Sequence, residues 1–247
     1  MAIDTPNLAA TSALAAVTST VAPAAGAVSG LMIDTMIEWY RTGEASYDVT
    51  MAMNGCLSGL VAITSGCTSV TPWAAVIIGM VSGWVYYGAS KLIIRLKIDD
   101  AVDAIPVHFF NGMWGLLAVG FFGDPQKMNY AGYNGEHPGL FMSWGQGHSD
   151  ANLLLCQLCA VLFIFGWVAG VMGPFFMILN ALGMYRVDPL EEEVGLDISH
   201  HRGAGYDLSP PEKQHVEELM EVRASRHGKV EVPKEVAQAA DATEEKV

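Results

Sequence analysis

Four long stretches of the chain carry no Asp, Glu, Lys or Arg: Thr5–Ile33, Val49–Ser90, Ala104–Gly123 and Ala151–Tyr185. Roughly 20 apolar residues carry a helix across the hydrocarbon core of a bilayer, so each stretch is long enough to span one. The second is about twice that length and is broken at Ser65–Pro72, where Gly66, Thr68, Ser69 and Pro72 form a turn signature. The pattern therefore predicts five spans, at about 5–33, 49–65, 73–94, 104–122 and 152–184. Lipid-facing barrel strands alternate polar and apolar residues with a period of two. These stretches are uniformly apolar and dotted with Gly, Ala and Ser, which predicts an all-α polytopic membrane protein. Small residues at helical spacing, Gly26/Gly30, Gly55/Gly59, Gly79/Gly83 and Gly166/Gly170, let helix backbones approach closely in lipid.

Composition adds a second region. The chain of 247 residues is 51% hydrophobic yet has a net charge of −13. Residues 1–185 form the membrane region, whereas 186–247 hold 15 acidic and 8 basic side chains. The reading is an acidic cytoplasmic tail, with a short helix opened by Ser209-Pro-Pro-Glu212 and running to about His227, and disorder beyond it. Such a tail is repelled by anionic lipid and by nucleic acid, so a protein surface is its expected contact.

Basic residues near the span ends set the expected orientation. Arg41, the Lys91, Arg95 and Lys97 cluster, and Arg186 fall on one side, with Lys127 alone on the other. This places the basic loops and the tail in the cytoplasm and the 124–150 loop outside, with the N-terminus outside as well. No charged leader or cleavage site precedes the first apolar run, so no cleaved signal peptide is expected. Cys56, Cys67, Cys156 and Cys159 lie in or beside apolar segments and read as buried, inert thiols. Trp73, Trp84, Trp114, Trp144 and Trp167 read mostly as interfacial anchors or core.

His108 is the candidate for chemistry. An ionisable side chain within an otherwise charge-free span is expensive and marks a conduction or substrate site unless a helix partner accounts for it. Its imidazole can bind a small hydrogen-bonding molecule or relay a proton. By helical spacing it shares a face with Asn111, Gly112 and Gly115, and small residues there leave room beside the ring. Asp103 reads as the N-cap of this span, with Pro106 in its first turn. His137 and His148 fall in the outer loop, and His200–His201 are too close, without Cys partners, for a usual metal site. No metal, cofactor or enzymatic reaction is expected.

Several runs together carry a family resemblance: Asn54-Gly-Cys-Leu-Ser-Gly59-Leu-Val-Ala-Ile-Thr64, Thr71-Pro-Trp-Ala-Ala-Val-Ile-Ile-Gly79, Ile98-Asp-Asp-Ala-Val-Asp103 and Val107-His108. They resemble the ammonium transporter family (Amt/Mep/Rh). Glu193-Val-Gly195-Leu-Asp197-Ile-Ser-His-His201-Arg-Gly203-Ala-Gly-Tyr206 is similar to that family's cytoplasmic tail motif. The resemblance covers about residues 5–206. It implies a plasma-membrane homotrimer, each subunit built of two inverted halves plus a final helix and conducting ammonium or ammonia through its own pore. This chain resembles the second half and the last helix, with His108 as one of two facing pore histidines and Asn111 beside it on the substrate pathway. The partner histidine belongs to the other half, and inverted repeats place their site where the halves meet.

Departures from the family pattern are Phe109, where glycine is usual after the histidine, and Arg202, which interrupts a His-Gly pair. In the tail, Gly195, Asp197, Ser199 and Tyr206 are regulatory candidates by resemblance, with Ser199 where a regulatory threonine stands in plant-like members. Phosphorylation there would add roughly −1.5 to −2 of charge. The alternative function is a non-conducting membrane regulator or ammonium sensor that associates with full-length subunits.

Overall fold

A computed structural model describes residues 5–187 and Glu192. The tail candidates Gly195, Asp197, Ser199 and Tyr206, and the helix expected after Ser209, lie outside the described residues. Seven α-helices follow in order among the described residues: α1 Thr5–Thr42, α2 Val49–Thr64, α3 Pro72–Arg95, α4 Asn111–Phe122, α5 Pro125–Tyr130, α6 Leu140–Gly145 and α7 Asn152–Ala181, with a π-helical turn at Ile105–Phe110 leading into α4. Backbone contacts divide the chain into two units, 1–167 and 168–247. Within the second, Phe176 packs on Tyr185 with ring centroids 5.3 Å apart. Arg186 pairs with Glu192 at 2.8 Å.

The apolar pattern located the helices well and their ends less well. α1 continues to Thr42, past the expected end near 33, because Asp34, Glu38 and Arg41 leave the hydrocarbon without leaving the helix. Gly43 stops it with φ at 81° and donates its N–H to Trp39 O at 2.9 Å, a left-handed cap that suits glycine. α2 is capped by Asp48, whose carboxylate accepts from Thr50 N at 2.8 Å and Met51 N at 3.4 Å. Among the described residues, four helical segments are long and apolar enough to cross a membrane, namely Asn7–Thr42, Pro72–Arg95, Ile105–Phe122 and Asn152–Ala181. The fifth expected span, α2, has only 16 residues. That is about 24 Å of helix against a hydrocarbon thickness of about 30 Å.

Close glycine contacts join α1, α2 and α3. A methyl group added at Gly26 would sit 2.5 Å from Gly55 O, and one at Gly59 would sit 2.7 Å from both Ala22 O and Pro23 Cα. The expected packing role holds for Gly26/Gly30, Gly55/Gly59 and Gly79/Gly83. A methyl group at Gly166 would meet nothing within 4 Å among the described residues of its own unit. The core beside these contacts is correspondingly small in side-chain volume, with Ala22, Ala62, Ile63, Ala74, Ala75, Ile78 and Ala118 buried together. Side-chain hydrogen bonds to carbonyls of other elements fix the register. Thr18 Oγ1 donates to Cys67 O at 2.8 Å, Ser29 Oγ to Met80 O at 2.9 Å and Trp114 Nε1 to Ile78 O at 3.1 Å. Bonds of this kind contribute on average about 0.6 kcal/mol each in lipid, so they orient helices more than they hold them.

The 124–150 segment contains two single-turn helices that periodicity is too short to reveal. Asp124 caps α5 through Lys127 N at 3.0 Å, with Pro125 at its first position. Phe141 of α6 packs on Phe121 and Phe122 of α4, each at 5.2 Å between centroids, which ties the segment to the end of that helix. His137 Nδ1 lies 2.8 Å from Asp150 Oδ2. The hydrogen bond and charge of Asp150 raise the histidine pKa, and the reciprocal bond lowers that of the carboxyl; Glu136 and His148 add smaller effects. The histidine's share of the pair is therefore full below its unfolded pKa of about 6.5 and is lost as pH rises through the raised folded value. The carboxylate's share is lost as pH falls through its own lowered value. An NMR titration should show His137 titrating above the ordinary histidine value of about 6.5, and Asp150→Asn should bring its midpoint down. Identical midpoints before and after that change would remove the pair.

The cysteines are exposed more than expected. Cys56 and Cys67 are half-buried, whereas Cys156 and Cys159 are exposed, because no described element covers that side of the first part of α7. All four are free thiols.

Candidate functional site

The site begins where the chain turns back into the apolar layer after α3. One residue of that turn was expected to open the helix, and the structure divides the task between two. Asp103 was read as the helix cap, but the carboxylate that caps is that of Asp100, which accepts from Ala104 N at 2.8 Å and Ile105 N at 2.7 Å. The carbonyl of Asp103 does accept from Val107 N at 3.0 Å and so opens the helical ladder. Its carboxylate turns the other way, because φ at Asp103 is 55°. There it accepts from Tyr86 Oη at 2.6 Å and Ser90 Oγ at 3.3 Å, and Asn54 Nδ2 approaches at 3.5 Å. Asn54 Nδ2 also donates to Tyr86 Oη at 2.8 Å.

The π-helical turn Ile105–Phe110 comes next and contains Pro106 and His108. A π turn closes i→i+5 hydrogen bonds and holds more residues per turn than an α-helix, so side chains after it are rotated from where α-periodicity puts them. The consequence corrects the expected shared face. His108 is exposed, and a methyl group at Gly112 would meet nothing within 4 Å, so these two share an open face. Asn111 and Gly115 face inward. Asn111 is 0% exposed and donates Nδ2 to Pro106 O at 2.9 Å. A methyl group at Gly115 would sit 2.6 Å from Ala62 O. Asn111 therefore satisfies a carbonyl of the wide turn rather than lining the open face.

Aromatic rings flank the histidine. Phe109 meets Phe110 edge-on at 5.3 Å and Phe165 of α7 at 5.9 Å, so the residue that departs from the family pattern anchors the turn to α7. Among the described residues, no three His, Cys, Asp or Glu side chains are grouped to hold a metal ion. Sequence reasoning missed Tyr86, Asn54, Ser90 and Asp100. Tyr86 and Ser90, at i and i+4 on α3, were the available signal, two polar groups on one stripe near the charged end of an apolar helix.

The Ammonium Transporter Family profile matches residues 2–206. The chain belongs to the ammonium transporter family. It is 38% identical over 191 residues to ammonium transporter 1 member 1 of Oryza sativa subsp. japonica, covering 77% of this chain and 36% of that protein. It is also 38% identical over 187 residues to ammonium transporter Amt2 of Archaeoglobus fulgidus, covering 75% of this chain and 37% of that one. Among solved structures, one named Sensor Amt Protein matches with a TM-score of 0.62 and 30% identity over 76% of this chain and 42% of its own. The crystal structure of Candida albicans Mep2 matches with a TM-score of 0.62 and 25% identity over 74% of this chain and 38% of its own. The chain thus spans a little over a third of the length of the curated relatives it matches. The family fold accounts for the all-helical architecture and the apolar spans.

Proposed function

We propose that this chain forms part of the pore wall of an ammonium-transporting membrane protein, with His108 on the substrate pathway. The observation that carries the reading is the open face of the π turn, where an imidazole and the side-chain-free Gly112 stand together in an apolar span. In lipid, a polar group left unsatisfied costs several kcal/mol, so an exposed histidine at that depth calls for a covering surface. The unmatched length of the relatives is the natural source of that surface. An imidazole facing a narrow apolar channel can accept from and donate to a small nitrogen species in turn, and its hydrogen bonds offset part of the desolvation that passage costs. Asn111 supports the pathway from behind, through Pro106 O, and does not line it. The tested expectation is that His108→Ala, in a chain carrying the whole length of its relatives, changes uptake or selectivity for ammonium over other cations while leaving folding nearly intact. Uptake and selectivity equal to the parent's would make His108 purely structural.

The reading includes a homotrimer in the plasma membrane with the Lys91–Lys97 loop and the acidic tail cytoplasmic, and transport rather than catalysis as the activity. The basic residues near the span ends support that orientation, and the names of the relatives support transport. A cysteine placed at position 134 should react with an impermeant maleimide from outside only; labelling solely from the cytoplasm inverts the topology. One observation favours a second reading. The structure named Sensor Amt Protein shares 30% identity, and the chain carries an acidic tail suited to a protein contact, so a sensing or regulatory role is the alternative.

A further inference from the structure

Asp103 stands out as a side-chain-bearing residue with a left-handed backbone, φ 55°, in front of the turn that holds His108. Residues other than glycine are uncommon in this region, Asp and Asn less so than most, and a residue is held there when its surroundings favour that conformation over the alternatives. The surroundings here are three side chains from two other helices. Tyr86 Oη donates to the Asp103 carboxylate at 2.6 Å, Ser90 Oγ donates at 3.3 Å, and Asn54 Nδ2 donates to Tyr86 Oη at 2.8 Å. Tyr86 is 1% exposed, so its hydroxyl has no water to turn to. Each hydroxyl carries one proton, and that of Tyr86 is committed to Asp103 by Asn54, which fills the acceptor side of the same oxygen.

The backbone of Asp103 has a second task. Its carbonyl receives Val107 N at 3.0 Å and so sets the direction in which the helical ladder starts. A change in φ at Asp103 would re-aim that carbonyl, and the π turn after it would leave at another angle. We propose that Tyr86 is a positioning residue for His108, its hydroxyl holding Asp103 in the left-handed conformation that presents the imidazole on the open face. The meaning for transport rests on the reading of His108 given above; the geometry does not.

The experiment follows amide hydrogen exchange and the His108 imidazole signals by NMR in the full chain in lipid nanodiscs. Tyr86→Phe keeps the buried ring and removes only the hydroxyl. Loss of a hydrogen bond to a charged group should speed exchange of amides 104, 105, 107 and 108 on the order of tenfold and shift the His108 imidazole signals, with amides 24–30 of α1 unchanged. Ser90→Ala should act in the same place and less strongly. Asp103→Asn, which retains an acceptor and tolerates the left-handed region, should stay nearer the parent than Tyr86→Phe does. Unchanged exchange at amides 104, 105, 107 and 108 with unmoved His108 signals in Tyr86→Phe overturns the proposal, as does a uniform acceleration across α1 and the turn. Should Tyr86→Phe not fold, Ser90→Ala decides by the same local readout. No transport is measured, so a failed His108→Ala uptake test leaves this outcome standing, and the reverse holds too.

Discussion

Expressed alone in cells lacking their own ammonium transporters, this chain should fail to restore growth on low ammonium. The reason is the surface it leaves open. His108 and Gly112 face outward from the helix bundle, and α7 exposes Leu155, Leu162, Phe163 and Phe165. Lipid can cover the apolar side chains at no cost, but it offers nothing to an imidazole, and a wall on one side only encloses no path. The chain spans about a third of its relatives' length, which leaves ample sequence to supply the facing wall. Growth should return when the segments that complete that length are supplied on the same or a second chain. Ammonium uptake by the purified chain alone in vesicles, saturating and sensitive to His108→Ala, would refute this and would mean that copies of the chain pair into a pore.

A large loss of stability should follow from Gly59→Val. The added Cβ would lie 2.7 Å from Ala22 O and Pro23 Cα, which are backbone atoms that cannot swing aside. α1 and α2 must then move apart, and the contacts of Gly26 with Gly55 one turn away go with them. Overpacking against yielding side chains costs typically 1–3 kcal/mol; against backbone the loss should reach about 3 kcal/mol or more. Gly88→Ala on α3 is the control, because nothing lies within 4 Å of its added methyl group. That change should be neutral or slightly stabilising, given that Ala exceeds Gly in helix propensity by about 0.8–1 kcal/mol. Unfolding in mixed micelles, followed by tryptophan fluorescence, compares the two. Equal midpoints for Gly59→Val and the parent would show that α1 and α2 do not meet at this glycine.

The two glycine sites also show where sequence reading reaches and where it stops. The pairs at 26/30, 55/59, 79/83 and 166/170 look alike as sequence, and in the structure the first three make contacts while a methyl group at Gly166 would meet no described atom of the first unit within 4 Å. Spacing announces that a backbone can be approached, and only the assembled bundle says whether another helix comes. The single-turn helices α5 and α6 were illegible for a different reason. Six residues contain less than two turns, too few to establish a period.

At the candidate site, sequence singled out His108 at the start of an apolar span, because charge-free stretches are long and their one histidine is conspicuous. It joined His108 to Asn111 by α-helical spacing, and that failed because a π turn lies between them. It gave Asp103 the capping role that Asp100 fills, since two carboxylates near one helix start are equivalent until the backbone conformation of each is known.

What the sequence determined by itself is the class of the protein and the position of its candidate histidine. Lipid rewards uninterrupted apolar runs whatever their neighbours are, so the helical spans, the acidic tail and the lone histidine are local facts. What tertiary structure decided is direction. The partners of Asp103 stand 13, 17 and 49 residues away on α3 and α2, and the open face of His108 exists only because Asn111 and Gly115 are turned against other atoms of the bundle. Hydrogen bonds across such separations, and a turn of altered pitch, leave no period in the chain to be read.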